Sequence, residues 1–420
     1  MPKTSTVASF RSATLPRLLR RTCMLVALSA IAALPACSTV QQHTALPQAT
    51  TTAPLASGQG QAEPGSYLRL PGMTANHAPV RVGIILPFSN SAPATRKLAA
   101  SMMNAAQMAL YDSGKTNIVL ITGDEGDGGA PAASAARSLI RKGVRIIIGP
   151  LFAASVRAVA PVAQRSGIPV IGFSSDRSVA QPGVYLLSFQ PENDVRRIVD
   201  YAASQGHRAF AALLPRDPYG DHIAAAFEKD VPQVSGQVVD IERFDPQNDD
   251  VAPQAASLAS AHPDALLVAQ GGAALRGTAQ ALSIDGLAGA RTQLLGTGVW
   301  DDPSILGEQA LDGGWFTAPQ PDANSAFVQH YEAAFGSRPP TLSSLAYDAV
   351  ALIGLLSQAP AGERFSADAL TNPNGFAGVS GIFRFQPNGD CQRGLAILGV
   401  TASGFTLVAP APTTFEKQGS

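Results

Sequence analysis

Apolar residues along this chain fall into two rhythms. Residues 144–148 and 168–173 are short continuous apolar runs of the kind found in strands buried on both faces, and the Ala-rich segment between them has helical spacing. That stretch reads as a β-α-β unit. Upstream, residues 80–87 predict a buried strand closed by Pro87, residues 95–112 a helix, 117–122 a strand and 132–142 a helix stopped by Gly143. A strand at 185–189 completes the series, and alternation this regular argues for a doubly wound α/β domain. The pattern then restarts. Strands are expected at 210–215, 238–244, 265–269 and 293–296, with helices around 223–229, 251–260 and 275–283, which makes a second lobe of similar design. Two further helices, 324–335 and 343–356, exceed what the second lobe needs and are expected to return to the first. The tail alternates through 382–385, a Gln386-Pro387-Asn388-Gly389 turn, 396–400 and 405–408, and reads as one antiparallel meander.

The N-terminus does not share either rhythm. Residues 1–36 carry Lys3, Arg11, Arg17, Arg20 and Arg21 and no acid, followed by an apolar run at 24–36 too short for an ordinary transmembrane helix. This is the layout of a signal peptide. It ends in Leu34-Pro35-Ala36-Cys37, similar to a bacterial lipobox, so Cys37 is the expected lipidation site, and Ser38 after it favours the outer membrane. Residues 37–78 are rich in Thr, Ala, Pro, Gln, Ser and Gly and read as a flexible tether, with an r.m.s. span of roughly 35 Å.

Composition narrows the function. Hydrophobic residues make up 45% and charged ones 15%, which marks a globular chain. Without the signal segment, the 30 basic side chains fall to 25 against 31 acidic ones, a balance unsuited to gripping nucleic acid. Three cysteines become one, Cys391, once Cys23 leaves with the signal and Cys37 is acylated, so no internal disulfide is expected.

The chain carries no phosphate-binding Walker loop, no His-Glu-x-x-His and no Cys-x-x-Cys, and Gly172-Phe173-Ser174-Ser175-Asp176 lacks the closing glycine of a nucleophile elbow. No enzyme activity, cofactor or metal is expected. Acid clusters at Asp124-Glu125-Gly126-Asp127, Asp249-Asp250 and Asp301-Asp302 read first as loop solubility and helix capping. Ligands of such folds sit beyond the carboxyl ends of the strands. The cleft candidates are therefore Ser89, Asn90, Phe152, Ser155, Ser174, Ser175, Asp176, Arg177, Tyr219, Trp300 and Asp301, with Trp300 the better ligand platform of the two tryptophans and simple packing its alternative role.

Several motifs carry a family likeness. Residues 82–87, Ile148-Gly149-Pro150, Gly167-Ile168-Pro169-Val170-Ile171 and Asp217-Pro218-Tyr219-Gly220 resemble the leucine-binding-protein-like branch of the type I periplasmic-binding fold. That resemblance implies two doubly wound α/β lobes joined by crossovers around a cleft. Lobe 1 is expected at 79–190 plus about 322–375, and lobe 2 at 191–321 plus about 376–415. Amino-acid binders of this branch place hydroxyls on the ligand carboxylate and an acid on its ammonium. Here Ala153 and Ala154 stand in the first hydroxyl loop, and Gly298-Val299-Trp300 where the acid should fall.

Gly149-Pro150-Leu151-Phe152, Asp176 to Ala180, Leu295 to Asp302, Gly313-Gly314-Trp315-Phe316 and Leu370 to Phe376 are similar to the penicillin-binding-protein activator lipoproteins of the LpoA type. Their best-known members carry a helical-repeat domain where this sequence has its tether. The resemblance implies a non-enzymatic activator of a peptidoglycan synthase, lipid-anchored at the periplasmic face of the outer membrane, with a class A penicillin-binding protein as partner. The alternative is the substrate-binding protein of an ABC importer for amino acids or related small molecules. A peptidoglycan-fragment ligand is a third reading.

Overall fold

The computed structural model describes residues 79–415 except 115, 116, 249 and 290. The signal segment, Cys37, the whole of the tether and Asp249 lie outside the described residues.

Five parallel strands form the first sheet. They are β1 (Val80–Leu86), β2 (Ile118–Asp124), β3 (Ile146–Ile148), β4 (Val170–Gly172) and β5 (Val184–Leu186), in the order β2-β1-β3-β4-β5. Alternation within β1 shows why both faces must be covered. Val82, Ile84 and Leu86 join one core cluster, while Ile85 joins the other. The second face is packed by α2 (Gly129–Arg141) and α3 (Ala153–Gln164), which supply Ala132, Leu139, Val156 and Val159. Gly83 lies on that face because a Cβ there would approach the Leu139 side chain to 2.9 Å. The opposite face carries α1 (Pro93–Asp112), with proline in its first turn and Met102, Ala106 and Ala109 turned inward.

The second sheet repeats the plan. Strands β6 (Ala209–Pro215), β7 (Gln237–Phe244), β8 (Ala265–Val268), β9 (Gln293–Gly296) and β10 (Trp315–Ala318) run parallel in the order β7-β6-β8-β9-β10. Numbered within each lobe, both sheets are 2-1-3-4-5. Helices α4 (Pro191–Ser204) and α5 (Pro218–Gln233) cover one face, and α6 (Ala252–Ser260) and α7 (Gly272–Ile284) the other.

Helices α8 (Pro321–Phe335) and α9 (Ser343–Leu356) pack on the first lobe. From α9, Leu345, Ala346, Ala349 and Ile353 enter the same cluster as Val82 and Met102, and Phe327 and Tyr331 of α8 meet Ala105 and Met108.

The tail differs from the expected single meander. Strands β11 (Phe376–Gly378), β12 (Gly381–Phe385) and β13 (Cys391–Arg393) make a separate antiparallel sheet. Its Phe383, Phe385 and Cys391 pack with Tyr185 in the first lobe's core, so residues 376–393 belong with that lobe and not with the second. Only β14 (Ala396–Thr401) and β15 (Gly404–Ala409) join the second sheet, β14 running antiparallel to β10. The physical reason is burial. Each aromatic ring placed against the β5 side of lobe 1 removes a large apolar area from water, on the order of 2–3 kcal/mol apiece.

Candidate functional site

The chain passes between lobes three times, after β5, after β10 and after β13. A cavity of about 230 Å³ sits among these crossovers. Phe189 and Pro191 come from the first crossover, Ala318 and Pro319 from the second, and Leu395 from the third.

On the lobe 1 side, the strand ends are already occupied by the protein itself. Glu125, in the loop after β2, is completely buried, and its two oxygens accept the amide N–H groups of Leu151 and Phe152, each at 2.8 Å. Those amides lead into α3, so an internal carboxylate takes the place an anionic ligand would want. Burial pushes its pKa up against the lowering effect of the two amides. Gly149 makes this turn possible, with φ +82° and room for no Cβ, which would lie 2.0 Å from the Ile85 carbonyl oxygen. Neighbouring groups are similarly spent. Asn90 donates to the Gly126 carbonyl at 3.2 Å and accepts from the Ala92 amide at 3.0 Å. Asp124 accepts from the amides of Ser89 and Gly126, and Asp127 from that of Ser91.

The remaining lobe 1 candidates divide between structure and surface. Ser155 is fully buried beside Glu125 and cannot face a cleft. Ser174 is buried and accepts from the Asp176 amide at 3.1 Å. Asp176 caps the following turn by accepting from Ser178 N at 2.9 Å, and Arg177 grips Asp390 with two nitrogens, Nε at 3.1 Å. Phe152 is 38% exposed, and Ser175 and Ser89 are exposed.

Lobe 2 keeps its polar groups open. Pro191 starts α4 with Glu192 and Asp194 in the first turn, where the helix dipole favours acids. The Asp194 Oδ1 accepts from the Thr317 hydroxyl at 2.5 Å, tying α4 to β10. It is half-buried by accessible surface and faces the cavity instead of bulk water, so burial pushes its pKa up to about 7, against hydrogen bonds from Thr317 and the Gly298 amide. Tyr219 lies in the first turn of α5, positioned by Asp217, whose side chain accepts from Gly220 N at 2.8 Å. Gly220 is required there, since a Cβ would meet the Pro215 carbonyl oxygen at 2.0 Å. The Tyr219 hydroxyl pairs with Thr297 Oγ1 at 2.6 Å, and burial raises its pKa.

Trp300 is not a ligand platform. It is completely buried, donates Nε1–H to the Val268 carbonyl at 3.1 Å and packs with Phe316. Gly296 and Gly314 make its slot, because a Cβ on either would come within 2.2 and 2.9 Å of the indole.

Of the eleven cleft candidates, Tyr219 and Asp301 line the cavity, while Asp194, Thr317 and Phe189 line it without having been singled out. In sequence Asp194 shows only as an acid in the first turn of a helix, the ordinary place for one, so nothing there marks it as part of a site. Behind Phe189 lies Arg393, its guanidinium 4.6 Å from the ring centroid, buried and paired with Asp348 at 3.5 Å. Among the described residues no cluster of His, Cys, Asp and Glu is placed to hold a metal, and no helix is long and apolar enough to cross a membrane.

Comparison with known proteins agrees with this architecture. Residues 79–404 match a sequence profile described as periplasmic binding protein. A solved structure from Rhodospirillum rubrum, described as a branched-chain amino acid ABC transporter, superposes with a TM-score of 0.71 at 20% identity, covering 79% of this chain and 100% of its own. A solute binding protein of an ABC transporter from R. palustris, in complex with benzoate, gives 0.56 at 18% identity, covering 80% and 98%. At these identities the likeness is one of fold. Among curated sequences, the penicillin-binding protein activator LpoA of Pantoea ananatis is 24% identical over 147 residues, 35% of this chain and 19% of that protein. The chain thus spans about a fifth of that relative.

Proposed function

Because this chain belongs to the periplasmic binding protein family, we propose that it acts as a non-enzymatic activator of a peptidoglycan synthase, a class A penicillin-binding protein. In this reading Cys37 carries the lipid that anchors it to the periplasmic face of the outer membrane. The observation that carries the proposal is Glu125. Its carboxylate occupies the Leu151 and Phe152 amides, and Ala153 and Ala154 beside them bring no hydroxyl for a ligand carboxylate at that loop. A clamshell that no longer closes on an amino acid keeps two rigid lobes as a surface for a protein partner. The similarity to LpoA points the same way. The test is a pull-down with a class A penicillin-binding protein together with a glycan-polymerisation assay. Binding with a faster polymerisation rate is expected, and no binding with no rate change overturns the reading.

The cavity at the crossovers favours a second reading, that of a solute-binding protein of an importer. A thermal-shift screen of amino acids separates the two. An importer receptor gains about 2.7 kcal/mol of stability at a hundred times Kd, and an activator of the kind proposed gains none.

A further inference from the structure

Between the crossovers, the cavity is chemically one-sided. Its walls include two carboxylic acids, Asp194 and Asp301, hydroxyls from Tyr219 and Thr317, and the hydrocarbon of Phe189 and Leu395, and among the described residues no Lys, Arg or His lines it. A carboxylate or phosphate would meet like charge there. At about 230 Å³ the space is smaller than the pockets that take drug-sized ligands, which limits an occupant to a small molecule. We propose that this cavity is a site for a small organic amine, whose ammonium is received by Asp194 and whose short apolar or aromatic body lies against Phe189 and Leu395.

Three features of the geometry support this. Thr317 fixes the carboxyl of Asp194 from behind, at 2.5 Å, so the group is oriented before a ligand arrives. Tyr219 is held by Thr297 at 2.6 Å, which fixes a second polar contact on the lobe 2 side. Of the nearby cations, Arg393 lies behind Phe189 and is already paired with Asp348, and Arg338, whose charge acts on Asp301, does not line the cavity. On the first lobe the Leu151 and Phe152 amides are held by Glu125, so an amine without a carboxylate suits this protein better than an amino acid. With no cation bound, Asp194 sits in a desolvated place that favours its protonated form, and an ammonium beside it reverses that preference. The acids and bases around it are Glu192 on its own helix, Tyr219 from α5, Arg393 from β13 and, across the cavity, Asp301 from the segment after β9. Binding therefore releases a proton and tightens as pH rises through about 7.

The inference goes beyond the synthase reading and does not depend on it, since amine binding and glycan polymerisation are measured separately. The experiment is calorimetric titration of the intact protein with benzylamine, phenethylamine and isobutylamine, with benzoate and leucine as size-matched controls. At least one amine is expected to bind about tenfold or more tighter than either control. Asp194→Asn, which keeps an acceptor for Thr317, is expected to weaken that amine by about tenfold or more. Val299→Trp, which fills the cavity from a half-exposed position, is expected to block it while leaving the fold intact, as judged by the unliganded melting curve. No amine binding up to about 10 mM, controls that bind as tightly as the amines, or variants that retain full affinity would each overturn the proposal.

Discussion

The two lobes share a strand order, 2-1-3-4-5, yet they treat the ends of their strands in opposite ways. In the first lobe, Glu125, Asn90, Asp124 and Ser174 bond to nearby backbone, so polar atoms at the rim are consumed by the loops that display them. In the second, Asp194 bonds to Thr317 and Tyr219 to Thr297, and Asp194, Tyr219 and Thr317 still face a cavity. Topology decides where a site can be. Whether one exists is decided by which side chains are left unspent.

That contrast can be broken most forcefully at Trp300. Trp300→Ala should cost about 3–5 kcal/mol, read by chemical denaturation, because it empties a slot built from Gly296 and Gly314. Trp300→Phe should destabilise less and leave amine affinity unchanged, which would confirm that the indole packs and does not bind.

Glu125→Ala tests the other lobe. It strands two amides and should destabilise by about 1–3 kcal/mol by the same measurement. A neutral result would mean that water replaces the carboxylate without loss, and that the first lobe's rim is open after all.

A smaller effect should appear with pH. Asp194 and Asp348 hold their protons more tightly folded, at about 7 and about 6, than at the unfolded value of 3.8. The folded state therefore binds more protons between about pH 4 and 7, and the stability these two groups contribute falls as pH rises through that window. Melting temperature should be higher at pH 5.5 than at pH 8, and Asp194→Asn should flatten the difference. The smallest effect is expected at Ser175→Ala. This exposed side chain has no hydrogen-bond partner among the described residues, and its loss should leave both stability and the proposed synthase activation within error.

Much of the fold was legible because parallel strands buried on both faces leave continuous apolar runs, as at Ile146–Ile148 and Ala265–Val268. The tail was legible as strands but not as partners. Period-2 alternation gives Phe383 and Phe385 a common face without saying which core receives it, and Tyr185, nearly two hundred residues earlier, supplied the answer. The site was legible at Tyr219, where Asp217, proline and glycine announce a capped turn after a strand. It was illegible at Asp194, whose partner Thr317 is 123 residues away, so that an acid in a first turn looked like any helix cap. Trp300 misled for the same reason, since the glycine that clears space for its outer ring, Gly314, is not adjacent to it in sequence.

The three crossovers have a mechanical side. Because all of them line one cavity, an occupant sits at the fulcrum of the two lobes and not between their tips. A displacement of one ångström at a fulcrum grows in proportion to distance along each arm, so a molecule of a few heavy atoms would set the spacing of loops far from it, including the exposed Phe152 and Ser175. In such an arrangement the small molecule works as a shim, and the quantity it controls is the aperture presented to whatever docks outside.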